Sequence, residues 1–213
     1  CGLTREADVD AAVDAGADAV GFVLYPPSPR HVGLERAAEL ARRLPAFVTP
    51  VVLTVNADAS FLIAIQQALP SATLQFHGDE TPADCESATA GGRRPYIRAA
   101  RIPLGPAAPA FDLVEFALAH HRAQAILLDA HIEGYGGGGK AFNWSLLPPS
   151  VNAHLVLSGG LTPANVIDGI TAVRGRGRSL AVDVSSGVES AKGIKDPARI
   201  TDFVAAVREA DRR

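Results

Sequence analysis

The 213-residue sequence predicts an α/β fold of the (β/α)8 barrel class, formed as one domain over residues 1–213. The first observation behind this prediction is that short apolar runs alternate with Ala-rich amphipathic stretches along the chain. The second is a pair of turns near the C-terminus, rich in glycine and serine, that each follow a short apolar run. Strands that alternate with helices form a parallel sheet. An open doubly wound sheet is the alternative that fits the same alternation.

Seven segments have the composition of strands, because each is a short aliphatic or β-branched run with turn-forming residues beside it. They are residues 19–24, 49–55, 73–76, 96–99, 125–129, 153–157 and 179–184. Helical patterns are found at residues 6–15, 34–43, 59–69, 109–121, 163–172 and 197–211, with a further helix beginning near Pro82. Nearly continuous apolar strands suit burial on both faces, as the wall of a TIM barrel requires.

This fold needs eight strands, and the start of the chain indicates where the eighth would lie. Residues 1–4 have the composition of a loop that follows a strand, and Thr4 is a candidate N-cap for the helix at residues 6–15. We therefore expect the first β-strand of the barrel to be missing from this sequence. The absence of methionine fits a chain that is trimmed or truncated at its N-terminus. A barrel without one strand exposes two strand edges.

The composition and charge of the chain limit what it is expected to bind. The net charge of −3 comes from 20 basic and 23 acidic residues without a basic patch, so we expect no nucleic-acid partner. No apolar run approaches the roughly 18–20 residues of a membrane span, so we expect no membrane partner and a cytoplasmic location. Cys1 and Cys85 are too few for a disulfide framework and lack the spacing of metal ligands, so no metal is predicted.

The two glycine- and serine-rich turns predict a phosphate site. They lie at residues 157–162 and 183–189, after the last two predicted strands. Such turns leave backbone N–H groups free to bind an anion. In (β/α)8 barrels a phosphate commonly lies between the loops after strands seven and eight. We therefore expect a phosphorylated small-molecule substrate.

Polar residues follow several other predicted strands, where the chemistry of a barrel is located. They are Cys1, Arg30, His77, Asp129 and Asp183. A thiol, a carboxylate and a guanidinium near a phosphate site suit acid–base chemistry on a phosphosugar that carries a second anionic group.

Seven short motifs, in one order along nearly the whole chain, carry a resemblance to a known family. They are Cys-Gly-Leu-Thr at 1–4, Ser-Pro-Arg at 28–30, Gln-Phe-His-Gly at 75–78, Leu-Leu-Asp-Ala at 127–130, Gly-Lys-Ala-Phe-Asn-Trp at 139–144, Ser-Gly-Gly-Leu at 158–161 and Asp-Val-Ser-Ser-Gly-Val-Glu at 183–189. With these motifs the sequence resembles phosphoribosylanthranilate isomerase. The glycine turns alone are common among phosphate-binding barrels, whereas the first and last motifs together are specific.

The resemblance implies an isomerase of tryptophan biosynthesis that performs a cofactor-free Amadori rearrangement of N-(5-phosphoribosyl)anthranilate. By position, it implies that Asp129 is the general acid and Cys1 the general base. It also implies that Arg30 binds the anthranilate carboxylate and that Asp183 contacts the sugar hydroxyls, with His77 near the mouth of the pocket. The phosphate would be held by main-chain groups at Gly159, Gly160, Ser185 and Ser186.

Two residues depart from the family pattern, and other functions stay open at this point. Asn143 replaces the usual aspartate of a Phe-Asp-Trp motif, Ala141 replaces a threonine, and the glycines at 136–139 predict a mobile lid. One alternative is another phosphosugar enzyme, such as an epimerase, an indoleglycerol-phosphate synthase or a bifunctional isomerase. Another is a phosphate-binding protein without activity. The pattern does not distinguish a monomer from a homodimer.

Overall fold

The computed structural model describes residues 1–103, 111–131 and 143–213. The chain forms an α/β fold around a curled sheet of seven parallel strands, which are hydrogen-bonded in the order in which they occur in the sequence. The strands are β1 (Ala19–Val23), β2 (Thr49–Thr54), β3 (Thr73–Phe76), β4 (Tyr96–Pro103), β5 (Ala125–His131), β6 (His154–Leu157) and β7 (Ser179–Val182). All seven predicted strands are confirmed, with small changes at their ends.

Seven α-helices alternate with most of the strands in the described residues and pack against the sheet. They are α1 (Glu6–Ala15), α2 (Leu34–Ala41), α3 (Ala59–Ala68), α4 (Pro82–Ala88), α5 (Leu113–Ala119), α6 (Val166–Val173) and α7 (Pro197–Arg212). Asp58, Thr81, Asp112 and Asp196 cap four of them by accepting hydrogen bonds from first-turn N–H groups. Each of the seven predicted helices is present in the structure, although some of their bounds differ from the prediction.

Two details of the prediction are wrong. Helix α6 begins at Val166 rather than at residue 163, because the Asn165 side chain closes a turn by accepting from the Thr162 N–H group (2.8 Å). Thr4 does not cap α1, whose N-cap is Arg5 without a side-chain hydrogen bond. The Thr4 hydroxyl instead donates to the Gly193 carbonyl oxygen (2.9 Å), which connects the start of the chain to a segment near its end.

The core is divided into two clusters between the sheet and the helices. One joins β5–β7 to the C-terminal helices through residues such as Leu155, Ile170 and Phe203. The other joins β1–β3 to the N-terminal helices through residues such as Phe22 and Ile65. Each buried side chain of this size contributes about 1.5–3 kcal/mol relative to an exposed one. The N-terminal and C-terminal halves of the sheet therefore have separate apolar support.

Residues 1–3 lie between the edge strands β1 and β7. The α-nitrogen of Cys1 donates to the Val184 carbonyl oxygen (2.8 Å), just beyond β7. On the opposite side, the N–H groups of Gly2 and Leu3 both donate to the Gly21 carbonyl oxygen in β1 (2.9 and 3.0 Å). These three hydrogen bonds connect the middle of β1 to the residue two positions beyond the end of β7.

Beside this connection, a cavity of about 480 Å³ lies between the two edge strands. Its lining includes Val20 of β1, Leu180 of β7, Ala12 of α1 and Phe203 of α7. The cavity also reaches inward-facing residues of the sheet such as Leu127. It is therefore an apolar slot that runs alongside both edge strands.

A short antiparallel hairpin, which the sequence analysis did not predict, precedes α7. It consists of β8 (Glu189–Ala191) and β9 (Ile194–Lys195). Strands of three and two residues are too short to produce a detectable alternation of apolar and polar residues. The hairpin contacts the start of the chain through the Thr4 hydrogen bond, and its residues Glu189 and Lys195 are buried.

We predict that His120 makes the fold sensitive to acid. Burial, with a further contribution from the Arg98 charge, lowers the pKa of His120 to about 4 from the ordinary 6.5. Between pH 6.5 and pH 4, the unfolded chain binds a proton at His120 and the folded chain does not. The free energy of unfolding should therefore decrease as the pH is lowered from about 6.5 to about 4, by up to about 3 kcal/mol.

Urea denaturation at a series of pH values would measure this loss. His120→Phe should lose less stability than the unmodified chain as the pH falls from about 6.5 to 4. His121→Phe is the matched control, because His121 is the exposed neighbour at the end of the same helix. Equal pH dependence in the unmodified chain and the His120 variant would contradict the prediction.

Candidate active site

The predicted site residues lie at the carboxyl ends of the strands, where the N-terminal segment joins the sheet. Cys1 is largely buried, with its thiol beside Gly21 of β1. A Cβ atom added to Gly21 would lie 2.7 Å from the Cys1 sulfur, so only glycine leaves room for the thiol at this position. The backbone bonds to Gly21 and Val184 then fix where Cys1 sits.

Asp183 lies beside Cys1, immediately after β7. Its Oδ1 atom is 3.8 Å from the Cys1 α-nitrogen, and its Oδ2 atom accepts a hydrogen bond from the Ser158 hydroxyl (3.1 Å). Burial lowers the pKa of the Cys1 α-amino group to about 6, although Asp183 opposes the shift. The Lys195 and Arg30 charges lower this pKa further, whereas the Glu189 charge raises it.

Asp129, in the C-terminal half of β5, is paired with His77. The Nε2 atom of His77 lies 3.1 Å from Oδ2 of Asp129, and both side chains are buried. On the other side of the ring, Nε2 of Gln75 lies 3.2 Å from Nδ1 of His77. With the amide donating to Nδ1, the imidazole proton is on Nε2 and is donated to Asp129. The sequence analysis placed His77 near substrate, but it did not predict that His77 would orient Asp129.

Arg30 has a buried carboxylate partner that the sequence analysis did not predict. Its Nε and Nη2 atoms donate to the two oxygens of Glu189 at 2.6 and 2.8 Å. This two-point geometry fixes the plane of the guanidinium. Nη1 makes no hydrogen bond within the part of the chain that the structure describes, so it is the nitrogen left for a ligand.

Lys195 is the other residue that the sequence analysis missed. Its Nζ atom donates to Oε1 of Glu189 (2.8 Å) and to the Ser185 carbonyl oxygen (2.9 Å). Burial would raise the pKa of Glu189, but the hydrogen bonds from Arg30 and Lys195 outweigh burial and hold that pKa below its ordinary value. The motif at 183–189 contained Glu189, whereas nothing in the sequence distinguished Lys195 from an exposed lysine.

The two turns predicted to bind phosphate lie against each other. Gly159 and Gly160 have φ angles of +77° and +67°, a region that favours glycine. Within the described residues, the N–H groups of Gly159, Gly160, Ser185 and Ser186 donate to no backbone carbonyl. These N–H groups are therefore available to an anion.

Other expectations about the site have mixed outcomes. Ala141 and the glycines at 136–139 lie outside the described residues. Asn143 is the N-cap of a 3-10 helix (Trp144–Leu146), and its Oδ1 atom accepts from the Ser145 N–H group (3.1 Å), so the change from aspartate leaves a cap in place. Across residues 1–103, 111–131 and 143–213, no group of His, Cys, Asp and Glu side chains is arranged to hold a metal ion. In the same ranges, no helix is long and apolar enough to cross a bilayer.

We predict that Gly187→Ala separates the two turns. A Cβ atom at Gly187 would overlap the Leu161 carbonyl oxygen, and because that atom is backbone, one turn must move. Affinity for inorganic phosphate, measured by calorimetry, should fall by about tenfold or more. Gly33→Ala is the control, since a Cβ atom there meets nothing within 4 Å. Unchanged phosphate affinity in the Gly187 variant would count against this placement of the phosphate.

Comparison with known proteins identifies the family. Residues 1–206 match the family model described as N-(5'phosphoribosyl)anthranilate (PRA) isomerase. A relative from Methylibium petroleiphilum, named N-(5'-phosphoribosyl)anthranilate isomerase, is 61% identical over 213 residues, which are 100% of this chain and 94% of the relative. A relative of the same name from Leptothrix cholodnii is 60% identical, with 100% of this chain and 91% of the relative covered.

Solved structures give the same result. The crystal structure of phosphoribosyl anthranilate isomerase from Thermotoga maritima matches with a TM-score of 0.82 and 35% identity, covering 98% of this chain and 97% of that one. A phosphoribosyl anthranilate isomerase in complex with reduced 1-(o-carboxyphenylamino)-1-deoxyribulose 5-phosphate matches with a TM-score of 0.80 and 34% identity, covering 98% and 96%. The chain therefore belongs to the N-(5'-phosphoribosyl)anthranilate isomerase family.

Proposed function

We propose that Asp129 and Cys1 are the acid and the base with which this chain performs the Amadori rearrangement of N-(5'-phosphoribosyl)anthranilate. The chain is an isomerase of tryptophan biosynthesis, as its family membership shows. The assignment of roles rests on one observation, that two side chains are held in fixed positions toward the carboxyl end of the sheet. There Asp129 is buried against His77, and Cys1 is held between Gly21 and Val184.

The acid acts first. Asp129 gives a proton to the ribose ring oxygen as the bond between that oxygen and C1 breaks, and the anilino nitrogen supplies its electron pair to form an iminium at C1. The hydrogen bond from His77 fixes the direction in which the carboxyl group of Asp129 points. Ring opening requires a proton donor at this oxygen, because an alkoxide is a poor leaving group.

The base acts second. The iminium makes the neighbouring C2–H bond acidic, and the thiolate of Cys1 removes that proton to give an enolamine. The enolamine then tautomerises to the ketone, 1-(2-carboxyphenylamino)-1-deoxyribulose 5-phosphate. A thiol has an ordinary pKa of about 8.5, so the thiolate has to be favoured by nearby N–H groups or cationic charge. Every proton and electron pair comes from the substrate and these two side chains, so we propose that no metal or cofactor takes part.

The remaining predicted residues would bind the substrate. Arg30 would bind the anthranilate carboxylate through Nη1, and Asp183, with Ser158 beside it, would contact the sugar hydroxyls. His77 would contact the substrate as well as Asp129. The phosphate would bind to the free N–H groups of the two turns at Gly159, Gly160, Ser185 and Ser186.

We further propose that residues 1–213 belong to one domain, in which an eighth parallel strand preceding Cys1 completes a (β/α)8 barrel in the slot between β1 and β7. The slot is lined by residues of both edge strands, so a strand in it would have β1 on one side and β7 on the other. The direction of Cys1, Gly2 and Leu3 supports this, because their N–H groups already bond to both sides of the gap. We expect the protein to be a cytoplasmic monomer or homodimer with a small-molecule phosphosugar substrate and no nucleic-acid partner.

We predict that Cys1→Ala and Asp129→Asn each lower kcat by on the order of a hundredfold or more, because each removes one proton transfer. The loss of fluorescence of phosphoribosylanthranilate, formed in situ from anthranilate, measures turnover. Cys85→Ala is the matched control, since it removes the other thiol of the chain, which is buried and has its pKa raised to about 12 by that burial. Full turnover without the Cys1 thiol or the Asp129 carboxylic acid would refute the assigned roles.

We also predict that a strand added before Cys1 stabilises the fold. Joining about five residues rich in valine and isoleucine to Cys1 should raise the melting temperature by several degrees, at about 2–4 °C per kcal/mol gained. The control is a segment of the same length with proline at its centre, because proline cannot donate to a strand ladder. Equal melting temperatures for the two extended chains would rule out a strand in the slot.

A further inference from the structure

A buried cluster of charged side chains lies between the two proposed binding regions of the site. It consists of Arg30, Glu189 and Lys195. The Lys195 side chain is 0% exposed and that of Glu189 is 6% exposed. Lys195 has no place in the proton transfers proposed above, so its complete burial needs a separate explanation.

Stability alone does not explain this cluster. Removing two or three charges from water costs free energy that their attraction often only offsets, and apolar residues of similar volume are frequently as stable. What a buried ion cluster does provide is geometry, because each member has few orientations that satisfy its partners.

The backbone of Lys195 is itself fixed by a second ion pair. Arg5 and the fully buried Asp8 interact at the start of α1, and Asp8 also accepts from the Lys195 N–H group (3.4 Å). Arg5 donates to the Lys195 carbonyl oxygen (3.2 Å). The position of Nζ is therefore set from two elements, the hairpin and α1.

From this fixed point, Lys195 reaches both proposed binding regions. Its bond to Glu189 holds the carboxylate that orients Arg30, which would bind the carboxylate of the substrate. Its bonds to the Ser185 carbonyl oxygen and, at 3.3 Å, the Ser185 hydroxyl hold the turn that would bind the phosphate. The Lys195 ammonium group thus contacts Glu189, which orients Arg30, and Ser185, in the turn that would bind the phosphate.

We propose that Lys195 is a positioning residue that sets the spacing between the carboxylate-binding Arg30 and the phosphate-binding turn at Ser185. This inference rests on the proposed function, since it assumes the roles of Arg30 and Ser185. Lys195 touches neither the substrate nor the reacting atoms, and it acts through Glu189 and Ser185.

The test measures the two ends of the ligand separately. Anthranilate and inorganic phosphate are titrated by calorimetry into the unmodified chain and into Lys195→Met, which keeps the length of the side chain and removes its charge. Lys195→Met should weaken both probes by about tenfold and raise KM more than it lowers kcat. Arg30→Ala should weaken anthranilate alone, because no hydrogen bond described here joins Arg30 to Ser185.

Lys192→Met is the matched control, because Lys192 is the exposed lysine of the same hairpin, and both affinities should be unchanged. If Lys195→Met does not fold, as judged by circular dichroism, Glu189→Gln replaces it and should weaken both probes. Unchanged affinities for both probes in a folded variant would overturn the inference while leaving the proposed function intact. An unmodified chain that neither binds the probes nor turns over would overturn both.

Discussion

The connection between the two edges of the sheet is the constraint on which the site depends. Seven parallel strands in sequence order leave β1 and β7 as edges, and the backbone groups of residues 1–3 join them at the carboxyl end. Those same residues carry the thiol and contact the loops that hold Arg30 and Ser185. One short segment therefore both joins the edges of the sheet and contributes to the site.

Much of the fold could be predicted because its signals are local. Strands such as Thr73–Phe76 and helices such as Glu6–Ala15 have the predicted bounds, since apolar runs and helical periodicity are properties of neighbouring residues. The hairpin at Glu189 was not predicted, because its strands are too short to show a pattern. The carboxyl-end positions of Arg30 and Asp129 followed from the rule that parallel strands end at one edge.

The partners of the site residues could not be predicted in the same way. Arg30 meets Glu189, which is 159 positions away in the sequence, and His77 meets Asp129, 52 positions away. Such pairs depend on side-chain packing across the sheet, which leaves no periodic signal. Glu189 ends one of the family motifs, but the sequence analysis gave it no role, and its pairing with both Arg30 and Lys195 required coordinates.

The proposed acid and base are held by different interactions, and this difference has a functional consequence. Asp129 is oriented by His77 and Gln75, which come from β3 and the loop after it, within the continuous part of the sheet. Cys1 is held by backbone hydrogen bonds that reach β1 and the residues after β7. A change in the spacing between β1 and β7 would therefore displace the base while the acid stays in place. Because ring opening needs only the acid, such a change would slow proton removal from C2 more than formation of the iminium.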